Sequence, residues 1–339
     1  MNLPSLPGPL LVMGAGTIGC YVGGRLAAAG AEVRFVGRAR VLGALREHGL
    51  TISDLDGARL SIAPAALRLH DAVPAGLSPS LVLLAVKSGA TAQAATELAT
   101  ALPPGTPVLS LQNGVSNAGV AQRAAPALRL LPGMVPYNVA ELSPGHFYRG
   151  TGGRIAAQDD AALRAWQPVF AQAGVPLKLH ADLRPIQWGK LLINLNNPVD
   201  ALSGLPLRAE LLERGFRRCF AALIDEALGV LAAAGIAPAQ VVALPPERLV
   251  TMLRLPTPLF RLLAARMLRI DPKARSSMAD DLALGRVTEI DALCGEVVRL
   301  AAAHGLRAPR CETMLALLAD WPKRQRPYSP RELLSALGL

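Results

Sequence analysis

The chain has 339 residues, 51% of them hydrophobic and 18% charged. That is more than one average domain and enough apolar material for a sizeable core, which excludes a disordered protein. Its 31 glycines and 28 prolines follow no period, and its net charge of +10 is spread as scattered arginines without a dense basic run. With aromatics at only 4%, neither a collagen-like repeat nor a nucleic-acid footprint is expected.

Cys20, Cys219, Cys294 and Cys311 lie far apart, with no CxxC or Cys/His cluster. The pattern fits free thiols in a reducing cytoplasm rather than a disulfide framework, and no metal site is expected. The N-terminus is apolar, but no Lys or Arg precedes Arg25, so a secretory signal would lack its basic segment. No apolar stretch reaches the ~18 residues of a membrane span. A cytoplasmic protein without membrane or nucleic-acid partners is expected.

Residues 10–13 read as a first buried strand, and 17–29 as a helix ending at Gly30. Further strands are expected at 32–36, 81–86 and 107–111. The run Leu81-Val82-Leu83-Leu84-Ala85-Val86 is continuously apolar, as in a parallel sheet covered on both faces. From about residue 183 the strand signals stop. Helices are expected at 188–201, 209–234, 259–268, 278–284 and 289–304, the last with apolar residues at helical spacing. The chain thus divides into an α/β Rossmann-type dinucleotide-binding domain, 1–182, and an all-α domain, 183–339, expected to carry substrate and catalysis.

Gly14-Ala15-Gly16-Thr17-Ile18-Gly19 is a G-x-G-x-x-G directly after the first strand and opening the first helix. Gly14 permits the tight turn, Gly16 the approach of a pyrophosphate, and Gly19 close packing of helix on strand. The N–H groups at Thr17 and the helix dipole favour phosphate. After the second strand comes Val36-Gly37-Arg38-Ala39-Arg40, without the acid that would hold a ribose 2′-hydroxyl. Arg38 can instead clamp a 2′-phosphate, so NADP(H) is expected, with Arg38 preferred to Arg40. Lys87 and Asn113 follow the 81–86 and 107–111 strands, at the carboxyl ends where open α/β sheets bind ligands; Asn113-Gly114 is equally an ordinary turn pair.

In Trp188-Gly189-Lys190-Leu191-Leu192-Ile193-Asn194-Leu195-Asn196-Asn197-Pro198, the residues Lys190, Asn194 and Asn197 fall on one stripe at about 100° per residue, with Asn196 pointing elsewhere. The rest of the helix is apolar. A lysine there is partly desolvated and titrates lower, which suits a general acid near neutral pH. Farther on, Ser277 and Thr288 read as helix N-caps and Glu289 as a first-turn acid, none of which alone marks a site.

Taken in order, the glycine loop, Ala85-Val86-Lys87, Leu111-Gln112-Asn113-Gly114, Lys190 with Asn194, Ser276-Ser277-Met278 and Thr288-Glu289-Ile290-Asp291 resemble the ketopantoate reductase family. These are NADPH-dependent 2-dehydropantoate 2-reductases of pantothenate (vitamin B5) synthesis. The resemblance implies a small 2-oxo acid substrate and Lys190 as the general acid. It implies that Asn194 and Ser277 hold the substrate's hydroxyl and carboxylate, and that Asn113 lies where cofactor and substrate meet. Glu289 would position the nicotinamide ribose and the lysine, and Lys87 would approach the cofactor.

Two positions depart from the family. Its second asparagine follows the lysine by eight residues, where this chain has Pro198, with helical geometry favouring Asn197 over Asn196. The segment Val135-Pro136-Tyr137-Asn138 replaces a polar run. The same reaction on another 2-oxo acid, or a non-catalytic NADPH sensor, therefore stays open, as does a homodimer.

Overall fold

The computed structural model describes residues 7–265, 267, 268, 271 and 274–339; residues 3–6 of the apolar N-terminus and Arg266 of the expected 259–268 helix lie outside them. The chain forms two compact units, Met1–Leu183 and Arg184–Leu339.

The first unit is built on eight strands: β1 (Leu10–Met13), β2 (Val33–Val36), β5 (Arg68–His70), β6 (Leu81–Leu84), β7 (Pro107–Ser110), β8 (Arg129–Met134), β11 (Ile155–Gln158) and β12 (Leu177–His180). Their order is β12-β11-β8-β7-β6-β1-β2-β5. The strands from β5 to β8 are parallel; β11 pairs antiparallel with β8 and parallel with β12. From β1 the chain runs outward through β2 and β5, then returns to β6 on the other side of β1. The sheet therefore reverses direction between β1 and β6, the crevice where such sheets take ligands.

Residues of the central strands alternate between two buried clusters. Leu10, Val12, Leu81 and Leu83 pack on the face carrying α1 (Thr17–Ala28) and α5 (Ala161–Gln172); Leu11, Met13, Val82 and Leu84 pack on the face carrying α3 (Thr91–Ala101) and α4 (Asn117–Ala124). This is why these strands read as unbroken apolar runs: each buried side chain contributes about 1.5–3 kcal/mol, and neither face is solvated. The β6 run is shorter than expected, since Ala85 and Val86 leave the ladder to back the Gly14 turn.

A second sheet, of order β4-β3-β10-β9, is not among the expected elements. It comprises β3 (Leu50–Asp54), β4 (Arg59–Ile62), β9 (Val139–Ser143) and β10 (His146–Arg149), following α2 (Ala39–His48). The segment Val135–Asn138 leads into β9.

Among its described residues the second unit contains no strand. Its helices are α6 (Arg184–Asn194), α7 (Asn196–Ser203), α8 (Leu207–Leu212), α9 (Arg214–Ala233), α10 (Pro246–Arg254), α11 (Thr257–Leu263), α12 (Ser277–Ala283), α13 (Cys294–Ala303), α14 (Pro309–Arg324) and α15 (Pro330–Ala336). The expected 188–201 helix is two helices meeting at Leu195: Pro198 has no N–H to return to the Asn194 carbonyl. The expected 209–234 helix breaks at Glu213, whose extended backbone (ψ 112°) ends α8 and whose carboxylate caps α9 at Gly215. The expected 289–304 helix is a short 3-10 turn, Ile290–Ala292, then α13, interrupted at Leu293 (ψ −85°). Helices α10, α14 and α15 lie outside the expected segments, and each opens on a proline, a good first helical residue.

A close approach fixes α6. A Cβ on Gly189 would collide with the Ala239 carbonyl, and the Ala239 amide in turn donates to Pro185 O at 2.8 Å. Gly189→Ala should therefore cost about 1–3 kcal/mol of stability through overpacking, visible as a lower urea midpoint with an unchanged slope.

Candidate functional site

In the first unit, every expected cofactor residue lies at the carboxyl edge of β2, β1, β6 or β7. Gly14 has φ +108°, a conformation that favours glycine, and a Cβ there would sit 2.6 Å from the Val86 amide nitrogen. The Gly14 and Ala15 amides donate to Val36 O at 3.0 and 2.9 Å, tying the loop to β2. A Cβ on Gly19 would meet the Gly14 carbonyl, so this glycine allows α1 to start against the loop. Gly16 is the opposite case: it is exposed, and a Cβ would meet nothing within 4 Å. The backbone there opens onto space at the N-terminus of a twelve-residue helix with no acid in its first turn. A pyrophosphate fits this cradle: N–H groups and positive dipole face it, and no carboxylate opposes it. Ala15 is buried beneath the loop, and Thr17 and Ile18 are half-buried in the first turn of α1.

Arg38 is exposed at the N-terminus of α2, just past β2. Gly37 lets this turn reach the glycine loop, since a Cβ would come within 2.6 Å of Ala15 Cβ. Arg40 is engaged elsewhere, donating to Glu141 at 3.1 Å.

Lys87 and Asn113 are joined by buried polar residues to which sequence reasoning assigned no role. Gln112 Nε2 donates to Val86 O (3.0 Å) and Thr91 Oγ1 (2.6 Å), while Gln112 Oε1 accepts from Ser110 at 3.0 Å. Thr91 Oγ1 lies 2.8 Å from Ser88 O and 2.9 Å from Asn117 Oδ1. Asn117 Nδ2 donates to Ser88 Oγ at 3.1 Å and to the Asn113 carbonyl. The loops after β6 and β7 are therefore one hydrogen-bonded piece. The available signal was a glutamine placed between a strand's apolar end and a turn. Thr91→Val would strand buried partners on both loops, at about 1–3 kcal/mol. The expected result is a lower melting temperature together with a smaller upward shift on adding NADPH.

In the second unit, α6 carries Lys190 and Asn194 one turn apart. Asn194 is buried, and Lys190 keeps part of its surface exposed. Burial lowers the Lys190 ammonium to about 8. Asn196 is buried on α7, where its amide donates to Glu210 Oε2 at 3.1 Å, whereas Asn197 is only half-buried. Asn196 thus has a structural partner, and Asn197 keeps the more open position of the pair.

Ser277 is not the helix cap expected from the sequence. Ser276 is: its hydroxyl accepts from the Ala279 amide at 3.1 Å, and Ser277, exposed, is the first residue of α12. Ser276 Oγ also lies 3.4 Å from Asn197 O, so α7 and α12 bring Asn197 and Ser277 into one neighbourhood. Thr288 caps no helix either. Glu289 is half-buried where the 3-10 turn begins, and its side chain makes no capping bond.

Comparison with known proteins gives the family. Residues 10–161 match the family model described as ketopantoate reductase PanE/ApbA, and residues 182–321 match that of its C-terminal region. The chain belongs to the ketopantoate reductase family. A 2-dehydropantoate 2-reductase of Halobacterium salinarum is 29% identical over 91% of this chain and 97% of its own. A PanE/ApbA family ketopantoate reductase from Ralstonia eutropha JMP134 superposes with a TM-score of 0.77 at 28% identity, covering 94% of this chain and 99% of that one. D-mandelate dehydrogenase, solved with NADH and anilino(oxo)acetate, has the same fold (TM-score 0.76, 94% and 100% coverage) at 19% identity.

Membership in a family of such reductases supports an oxidoreductase that uses a nicotinamide dinucleotide, with a small keto acid as a consistent substrate. The four cysteines are buried free thiols, and no described helix is long and apolar enough to cross a membrane.

Proposed function

We propose that this ketopantoate reductase family member reduces 2-dehydropantoate to pantoate with NADPH, a step of pantothenate synthesis carried out in the cytoplasm, with Met1–Leu183 as the NADP-binding domain and Arg184–Leu339 as the substrate domain. The observation that carries this reading is Lys190: a lysine on an apolar helix, lowered by burial to about 8, one turn from a buried asparagine. A sensor has no use for a desolvated acid, whereas a carbonyl reductase needs one.

When bound, the dinucleotide would supply the hydride needed at the substrate's 2-oxo carbon. Gly14, Ala15, Gly16, Thr17, Ile18 and Gly19 hold the pyrophosphate, Arg38 the 2′-phosphate, and Lys87 and Asn113 the rest of the dinucleotide, with Asn113 also meeting the substrate. Lys190 Nζ donates its proton to the ketone oxygen as the alkoxide forms. Because that charge exists only in the transition state, a cation placed there lowers the barrier rather than merely tightening binding. Asn194, Asn197 and Ser277 orient the substrate's hydroxyl and carboxylate. Glu289 positions Lys190 and the ribose.

The test is NADPH oxidation with ketopantoate beside a panel of other 2-oxo acids. Ketopantoate should give the highest kcat/KM. Preference for another acid would move the substrate and keep the chemistry, and silence on the whole panel with NADPH still bound would favour a sensor.

A further inference from the structure

Behind Asn197 and Ser277 lies a buried acid pair that the reaction does not use. Asp200 on α7 and Glu210 on α8 are both fully inaccessible. Asp200 Oδ2 accepts the Ser276 amide at 2.8 Å, and Glu210 Oε2 accepts the Asn196 side-chain amide at 3.1 Å. Three buried acceptor atoms remain without a donor: Asn196 Oδ1, Asp200 Oδ1 and Glu210 Oε1.

Two ionised carboxylates do not share such a place cheaply, and unmet buried acceptors add to the cost. A single proton on the pair removes one charge and creates one donor. Burial raises both acids, Glu210 to about 8. The charged and titratable groups around them are few. Glu210 faces Asp200, Arg217 and Cys219; Asp200 faces Arg275 and Asp280. The fully buried Arg217 donates to the carbonyls of Leu211, Leu253 and Leu255 and acts on Glu210 through its field alone.

We propose that Asp200 and Glu210 share one proton, held on Glu210, and that this acid pair is a positioning device that fixes α7 and the start of α12, and with them Asn197 and Ser277. The positioning half rests on the assignment of those two residues to substrate; the proton half stands without it.

The first measurement is carbon NMR of the chain labelled in its glutamate carboxyls, with Glu210→Gln identifying the signal. The Glu210 signal should keep the position of a protonated acid through neutrality and titrate near 8; titration near the ordinary glutamate value of about 4 overturns the proposal. The second is amide exchange. Asp200→Ala should speed exchange at Ser276 and Ala279 and raise KM for the 2-oxo acid about tenfold, leaving KM for NADPH unchanged, while Glu210→Gln, which keeps the shape and donor of the protonated acid, should match the parent in both.

If Asp200→Ala does not fold, Asp200→Asn takes its place, a weaker neutral acceptor that should still speed exchange at Ser276. Parent-like exchange and KM in the Asp200 variant would contradict the positioning role. If the chain reduces no 2-oxo acid, the functional assignment fails, while the carboxyl titration and exchange rates still decide this inference.

Discussion

Lys190→Ala should lower kcat for ketopantoate by about 10²–10⁴-fold while leaving NADPH affinity unchanged. The range is what a positioned general acid contributes. The split is expected because the lysine is needed only where charge develops, whereas the residues proposed to hold the pyrophosphate and 2′-phosphate lie in the first unit, on the glycine loop and at the end of β2. The pH profile is the sharper form of the prediction. Burial places the Lys190 ammonium at about 8, and the protonated form is the active one. The parent rate should therefore be level below that value and fall roughly tenfold per pH unit above it. The residual rate of Lys190→Ala should lack this alkaline limb. A variant that kept the limb would assign it to another group.

Arg38→Ala should weaken kcat/KM for NADPH by about 10–100-fold and leave NADH nearly untouched. A charge-assisted hydrogen bond contributes about 1.5–3 kcal/mol, and only the 2′-phosphate distinguishes the two cofactors. Arg40→Ala is the matched control: its guanidinium is engaged by Glu141, so it should change the preference little. Equal losses with both cofactors in Arg38→Ala would mean that the arginine supports the fold of the loop, and the NADPH assignment would lose its basis.

The parts of the fold legible in the sequence are those where one physical demand dominates. The central strands must be apolar on both faces, and β1 falls at the residues expected from that demand alone. The glycine loop is legible because Gly14, Gly16 and Gly19 each meet a different constraint, a turn, an open surface and a close contact. The second sheet was not legible. Leu50-Thr51-Ile52-Ser53-Asp54 does alternate, but β4 and β9 bury no residue and β10 sets His146 and Arg149 around Phe147 and Tyr148, so their pairing is set by tertiary contact rather than by pattern.

In the second unit, periodicity found α6, α7, α9, α11, α12 and α13 but missed α10, α14 and α15 and the breaks within the expected segments. Pro198 was visible, yet its effect lies at the carbonyl of Asn194, four residues earlier. The breaks at Glu213 and Leu293 carry no proline or glycine at the break itself. Of the proposed site residues, those with an unusual chemical type in an apolar setting, above all Lys190, stand out in the sequence. Thr91 and Asn117 do not, because a hydrogen-bond network joining separate elements has no period; Gln112, set between a strand's apolar end and a turn, carries its one local signal.

The central claim is hydride transfer to a 2-oxo acid, and one labelling measurement tests it directly. NADPH carrying deuterium at both C4 positions of the nicotinamide is incubated with ketopantoate and the enzyme, and the product is examined for the label. Pantoate carrying deuterium at carbon 2, formed in step with NADPH consumption and slowed in Lys190→Ala by the same factor as kcat, is the predicted result. NADPH that binds without being consumed, or consumption that leaves carbon 2 unlabelled, would contradict it.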